Sequence, residues 1–319
     1  SDEESTTKKK RSLMKQKQNK VIEEIANSKD SKSNSTAKVK HRYFEGFNGF
    51  SLETEFQNLK EIESIPGVIN VRIARTFQET MSTSKSLVQA QKVWSDYGYE
   101  GDGLLVTIVD SGIDYTHKDM TLTEKGKAKQ KWTSENIQSK FEETEVNETW
   151  YSDKVPTGYD WADEDTDVIP AITGNPHGTH VAGTVGANGD ESKNGVQGIA
   201  PGVQLLAEKV FSDKGGGAKE DDLLAGIEHA ITMGADIINM SLGTDAGYVG
   251  EEDDLVQKAI RVATEQGTLV VVAAGNASYS TKNNSIVSSL KPYADNPDIG
   301  VVGQPGVSPY AISVASYEN

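Results

Sequence analysis

"LLVTIVD", residues 104–110, is a short apolar run that ends in a carboxylate. It is far too short to cross a membrane, and it does not alternate apolar with polar. A strand buried on both faces reads this way, as in the interior of a parallel sheet. Four more runs of the kind follow: "VQLLAEKVF" (203–211), "ADIINMSLG" (235–243), "TLVVVAAGN" (268–276) and "YAISVAS" (310–316). Between them, "DDLLAGIEHAITMG" (221–234) and "EDDLVQKAIRVATEQG" (252–267) carry apolar residues at helical spacing and stop at glycine. Strands that alternate with helices imply an α/β fold, a three-layer parallel sheet with helices on both faces.

Sheets of that class place their chemistry at the carboxyl ends of the strands. That rule selects Asp110, then Ser241-Leu242-Gly243 after "ADIINM", then Asn276 after "TLVVVAAG". "HGTHVAGTVGA" (177–187) suits a helix buried against the sheet, which sets His177 at the helix start on the same side. The chain has five histidines and puts two of them, His177 and His180, in this one stretch. They could be packing residues, metal ligands, or one could be a catalytic base. The zinc helix motif His-Glu-x-x-His spaces its ligands by four and supplies a glutamate. The spacing here is three and the glutamate is absent, so the metal reading is the weakest.

Composition sets outer bounds. The chain has 319 residues, 35% hydrophobic and 25% charged, enough for a large core or two domains. A formal charge of −16 argues against nucleic acid as a partner, because phosphate recognition needs positive charge. No apolar run is long enough for a membrane span. The opening "SDEESTTKKKR" lacks the apolar stretch of a signal peptide, so an export signal is either already removed or never existed. With no cysteine there are no disulfides and no thiol chemistry, which suits the cytosol and many exported bacterial proteins alike.

The charge is uneven. Residues 1–84 hold 15 Lys/Arg against 12 Asp/Glu, and the remainder holds 17 against 36. The first segment reads as a small α+β domain: an amphipathic helix in "SLMKQKQNKVIEEIANS", a strand–turn–strand in "VKHRYFEGFNGFSLET", a helix in "EFQNLKEIESI" and a strand in "VINVRIA". "TFQETMSTSKS" (76–86) is polar and suits an exposed linker. The expected division is therefore 1–84 and 85–319.

"VTIVDSGIDYTHKDM", "NPHGTHVAGTV", "QGIAPGVQLLAEKV", "INMSLG" and "VVAAGN" occur in the order and context of the subtilisin-like serine peptidases. The resemblance covers residues 87–319. "KVPTGYDWADEDTD" and "GQPGVSPYAISVASYEN" are similar to the cell-envelope subclass of Gram-positive bacteria, the lactocepin and C5a-peptidase type. By that resemblance Asp110 is the triad aspartate, His177 the triad base and Asn276 the oxyanion-hole donor. A serine hydroxyl needs such a base, and imidazole with a pKa of about 6.5 can take and return its proton. His180 is then a packing or supporting residue. Ser241, Leu242 and Gly243 match the strand that flanks the first subsite before the cut. Gly215, Gly216 and Gly217 match the segment that pairs with extended substrate on the other side. Asp119 matches an aspartate that binds structural calcium in many relatives, and Asn188, Asp190 and Asn194 could add oxygens in a loop longer than in the smallest members.

Residues 1–80 resemble the inhibitory propeptide of the same family, most clearly in "HRYFEGFNGFSLETEFQNLKEIESIPGVINVRIA". Such propeptides lay their C-terminal tail in the cleft, and "TFQETMSTS" is well placed for it, with the cut between Arg75 and Lys85. No "GTSMA"-like stretch follows Asn276. Ser111 and Ser241 do not match the family's nucleophile, so the serine is expected downstream in the remainder of the enzyme. The resemblance implies a secreted or cell-surface endopeptidase of a Gram-positive bacterium, acting on proteins or peptides by acyl-enzyme formation. Its own propeptide would be an intramolecular inhibitor. The competing readings are a fragment or pseudoenzyme that binds peptide without cutting it, and a metal-dependent hydrolase. Residues 141–170 hold ten Asp/Glu and one lysine. They are expected to form a solvated surface loop, with a role in attracting basic substrates as the sharper alternative.

Overall fold

In the computed structural model the chain divides into two compact units, Ser1–Arg75 and Thr76–Asn319. The structure describes residues 2–27, 38–45, 47–74, 76–79, 88–171, 174–249, 254–277 and 300–316. The expected boundary at residues 84 and 85 lies outside the described residues.

The first unit contains helix α1 (Asp2–Asn27), strands β1 (Lys38–Tyr43) and β2 (Gly49–Glu53), and helix α2 (Leu59–Glu63). The two strands pair antiparallel, with Val39 opposite Leu52 and Tyr43 opposite Gly49. Ile25 of α1, Ile62 of α2 and Ile65 form the core, joined by Val21, Phe50, Leu52, Val68 and Val71. Gln18 is buried, and its amide donates to the carbonyls of Tyr43 (3.0 Å) and Gly49 (2.9 Å), tying α1 across the hairpin. The strand expected in "VINVRIA" is absent among the described residues. Val68 and Val71 point inward while Ile69 is 98% and Ile73 61% exposed. Inward residues three apart do not have the two-residue period of a strand. The alternation of the sequence there did not correspond to two faces.

The second unit is built on a six-stranded sheet of order β11-β10-β8-β4-β6-β5. Its strands are β4 (Leu105–Asp110), β5 (Gly158–Asp160), β6 (Gln204–Lys209), β8 (Ile237–Met240), β10 (Leu269–Ala273) and β11 (Ile312–Val314), every pair parallel. All six residues of β4 and all six of β6 are buried, as expected for the middle of such a sheet. Asp110 lies opposite Lys209 in the ladder, and Lys209 lies opposite Asp160. The helices are α3 (Ala90–Tyr97), the short α4 (Glu124–Ala128) and α5 (Gln138–Phe141), α6 (His177–Gly186), α7 (Glu220–Thr232) and α8 (Leu255–Glu265).

Helices cover both faces. Val181 and Ala182 of α6 join one core with Val106, Ile108, Leu205 and Ala207. On α7, a Cβ at Gly226 would meet Glu208 and Val210, whose side chains leave β6 on the other face. Each fully buried Leu or Ile contributes about 1.5–3 kcal/mol relative to exposure. Asp254 caps α8 by accepting the Gln257 N–H at 3.0 Å. Glu220, Asp221 and Asp222 in the first turn of α7 suit the positive end of its dipole. Edge strand β11 pairs only with β10 among the described residues, and its three residues are exposed.

A three-stranded sheet completes the unit. Strand β3 (Thr76–Glu79) lies between β7 (Ala218–Lys219) and β9 (Leu242–Gly243), antiparallel to both. The first four residues of the expected linker are therefore a paired strand.

Candidate active site

Asp110 ends β4, and the turn Ser111-Gly112 carries the chain away from the sheet. Helix α6 is pressed onto that turn. A Cβ at Gly178 would stand 2.3 Å from the Gly112 carbonyl oxygen, so only glycine permits the approach. Ser111 locks the contact. Its hydroxyl donates to the Asn175 carbonyl (2.9 Å) and accepts the Gly178 N–H (2.9 Å). The Asn175 side-chain oxygen accepts the His177 N–H at 3.1 Å. Two of the helix's initial N–H groups are thereby satisfied, which a free helix start would leave open.

The result is one short contact. His177 Nδ1 lies 2.8 Å from Asp110 Oδ1, which also accepts the Ser111 N–H at 2.7 Å. The Asp110 side chain is fully buried, and that of His177 is 15% exposed. A carboxylate accepts, so Nδ1 carries the proton and Nε2 holds the lone pair of a general base. Sequence reasoning set Ser111 aside as a nucleophile and missed what it does: it fixes the helix start that carries His177. The signal was its position directly after Asp110.

The other rim residues follow from topology. β4, β8 and β10 are parallel neighbours, so Asp110, Ser241 and Asn276 emerge from the same end of the sheet. Gly275 has φ +100°, a left-handed turn that suits glycine, and it presents an exposed Asn276. The Asn239 amide donates to the Ser241 hydroxyl at 3.0 Å. Leu242 and Gly243 form β9, where Leu242 pairs with Glu79 and Gly243 with Gln78. On the opposite side the ladder runs through Ala218 and Lys219, which pair with Phe77 and Thr76. Gly215 and Gly216, at φ +89° and +103°, form the exposed turn that leads into it, with Gly217 between. The glycines are prominent in the sequence, while the pairing residues just after them carry no mark. His180 is exposed on α6, where a packing or supporting residue was expected.

The calcium candidates meet where the 188–196 loop folds onto Asp119, whose carbonyl accepts the Asn188 N–H at 2.8 Å. Asp119 is buried, and its Oδ2 accepts the Val196 N–H at 2.8 Å. Asp190 accepts from Ser192 N (3.0 Å) and Oγ (2.6 Å) and pairs with Lys193 at 3.0 Å. Asn188 reaches Thr121 at 3.4 Å, and Asn194 turns the loop at φ +57°. Among the described residues, no group of three His, Asp or Glu ligand atoms close enough to share an ion includes Asp119 or Asp190.

The acidic loop differs from the expected solvated surface. Glu148 is buried with Glu208 around His229: Nδ1 lies 2.7 Å from Glu208 and Nε2 3.2 Å from Glu148. Trp161 Nε1–H donates to Glu208 at 2.5 Å. Burial works against a charged His229, but the two carboxylates outweigh it and hold its pKa well above the ordinary value. Asp160 is pushed up to about 6 by burial, against the pull of its hydrogen bond from Lys209. Burial would likewise lower the pKa of Lys209, but Asp160 and Asp213 at 2.8 Å each raise it instead.

A buried Asp–His pair at the carboxyl rim, beside a slot that holds an extended strand, is the arrangement of a triad hydrolase with a peptide-binding edge. The chain belongs to the subtilase family, whose pattern matches residues 101–319, and the peptidase inhibitor I9 pattern matches residues 2–76. It is 38% identical over 276 residues to the PI-type proteinase of Lactococcus lactis subsp. cremoris, covering 85% of this chain and 14% of that protein. The minor extracellular protease Vpr of Bacillus subtilis is 29% identical over 314 residues, covering 91% and 32%. The C5a peptidase of Streptococcus pyogenes serotype M18 is 30% identical over 249 residues, covering 75% and 21%. The chain thus spans between a seventh and a third of the length of these relatives.

Proposed function

We propose that this chain supplies the base, the orienting carboxylate and the oxyanion donor of a serine endopeptidase. The nucleophilic serine would come from polypeptide beyond residue 319. The observation that carries the reading is the 2.8 Å contact between His177 Nδ1 and buried Asp110. His177 Nε2 takes the serine proton as the hydroxyl attacks the peptide carbonyl, and Asp110 stabilises the imidazolium that forms. Asn276 donates to the oxygen that becomes negative. The proton then passes from Nε2 to the leaving amine, and water repeats the sequence on the acyl-enzyme. The full-length protein should react with a serine-directed fluorophosphonate and hydrolyse peptides. A folded full-length protein that does neither would favour a peptide-binding role without cleavage.

Replacing Asn276 by Ala should lower turnover roughly 10²–10³-fold, because one oxyanion donor is lost. The Michaelis constant should stay nearly constant, since the donor acts on charge that develops only in the transition state. A change confined to the Michaelis constant would remove Asn276 from this role.

β3 is the propeptide tail in this reading, held as a substrate would be. The family resemblance sets Ser241 beside the residue before the cut. Glu79 faces Leu242 and Gln78 faces Gly243, so the described register runs toward Ser241 and makes the residue after Glu79 the one expected before the cut. Residues 80–87 lie outside the described residues, and the register carries the prediction: the cut falls between Thr80 and Met81. N-terminal sequencing of the mature enzyme should begin at Met81. A start at any residue other than Met81 would contradict the register. We further propose that the enzyme works outside the cell on a Gram-positive bacterium, which the name of the Bacillus relative supports. Fractionation of the culture tests it.

A further inference from the structure

We infer that Lys209 is a positioning residue for the substrate edge β7, acting through Asp213. Lys209 ends β6 one strand from Asp110, and its side chain is fully buried. Its Nζ lies 2.8 Å from Asp160 Oδ2, 2.8 Å from Asp213 Oδ1, and donates to the carbonyls of Asp167 (3.3 Å) and Ile169 (3.5 Å). Asp160 belongs to β5 and Asp213 to the loop that leads into β7. One ammonium therefore ties the end of β5 to the loop that follows β6, beyond the reach of the β5–β6 ladder.

A second set of bonds reinforces the same joint. Asp163 accepts the Ser212 hydroxyl (2.9 Å), the Asp213 N–H (2.9 Å) and the Lys214 ammonium (3.0 Å), while Asp213 accepts the Ala171 N–H at 3.1 Å. Beyond Lys214 the side-chain support stops. A Cβ at Gly215 or Gly216 would meet nothing within 4 Å, and β7 begins two residues later. The turn before the edge that pairs with Thr76 and Phe77 is thus held at its root by a buried cation, and the edge itself runs directly into α7. The carboxylates of Asp160, Asp163 and Asp213 stand close enough to share a metal ion, but Lys209 and Lys214 already supply the positive charge there.

The design has a built-in control, because β3 pairs with β7 through residues 76–77 and with β9 through residues 78–79. Only the first half depends on the joint. The test is amide hydrogen exchange by NMR on this 319-residue chain, comparing wild type with Asp213→Ala. Lys209 keeps Asp160 at 2.8 Å as its counter-charge, so removing the half-exposed Asp213 does not orphan the buried cation. Exchange at residues 76–77 and 218–219 should accelerate about tenfold or more, and exchange at 78–79 and 242–243 should stay within about twofold. Asp213→Asn, which keeps an acceptor for Lys209 and Ala171, should restore most of the protection. Lys209→Met should act in the same direction if it folds. Equal acceleration of both halves would mean general loosening and overturn the inference, as would no acceleration.

A kinetic arm rests on the proposed peptidase function. In the full-length enzyme, Asp213→Ala should raise the Michaelis constant about tenfold for peptides long enough to reach β7, with turnover within about twofold. A short ester that ends before β7 should show no change. A wild type with no activity would defeat the proposed function while leaving the exchange result to decide on Lys209.

Discussion

Asp110→Asn in the full-length enzyme is expected to lower turnover about 10⁴-fold with the fold retained. The substitution keeps the size of the side chain. It removes the negative charge and offers an amide that can donate toward His177 Nδ1, which would push the ring toward the tautomer with its proton on Nε2. That nitrogen could then no longer accept from serine. His177→Ala should cost at least as much, because base and orienter act as one unit and their losses do not add. Single-turnover kinetics with a matched thermal melt is the measurement. A variant with unchanged melting and a loss under tenfold would separate Asp110 from the chemistry. The loss should persist across pH, since the missing function is orientation as well as charge.

The second large effect belongs to stability. Replacing His229 by Leu should destabilise the second unit by about 3–5 kcal/mol, because it leaves Glu148 and Glu208 buried together without their cation. The side chains of all three are buried, His229 at 3% exposure and both glutamates at 0%. Adding Glu148→Gln and Glu208→Gln should recover most of the loss, with the second amide still offering Trp161 an acceptor. Urea denaturation followed by tryptophan fluorescence reads both, since the Trp161 ring lies 5.6 Å from His229. A loss below about 1 kcal/mol would show that the cluster is not ionic. The pH dependence has a definite sign. The folded pKa of His229 is raised above its unfolded value of about 6.5, so its contribution is complete below that pH. It is lost as pH rises through the folded value, which gives an alkaline flank to the stability curve.

The sheet and the Asp–His pair were legible because their physics is local. A strand buried on both faces must be apolar throughout, and "LLVTIV" announces both the strand and the residue that leaves its end. His177 was legible through the small, apolar helix that "HGTHVAGTVGA" starts and through the resemblance its motif carries. The Glu148–His229–Glu208 cluster was not, because its members come from a polar loop, a helix and a strand. Nothing in "GIEHAI" distinguishes a helix position facing two carboxylates from one facing leucine. Lys209 was hidden for the same reason, since a lysine at a strand end ordinarily reaches solvent. In "VINVRIA" the pattern suggested a strand, but a ladder needs a partner edge, and sequence period carries no information about edges. β3 failed in the opposite sense: "TFQE" looked like linker because its order comes from the two strands that flank it.

The guest strand β3 is covalently part of the polypeptide that forms its berth, and that connectivity changes its thermodynamics. A tethered ligand experiences an effective concentration of the order of millimolar. A four-residue strand that binds at only tens of micromolar would then be bound nearly all the time. Once the tether is cut, the same strand faces only its bulk concentration and leaves by dilution. Release of the enzyme would need no weakening of the strand's contacts, only a change in chain topology.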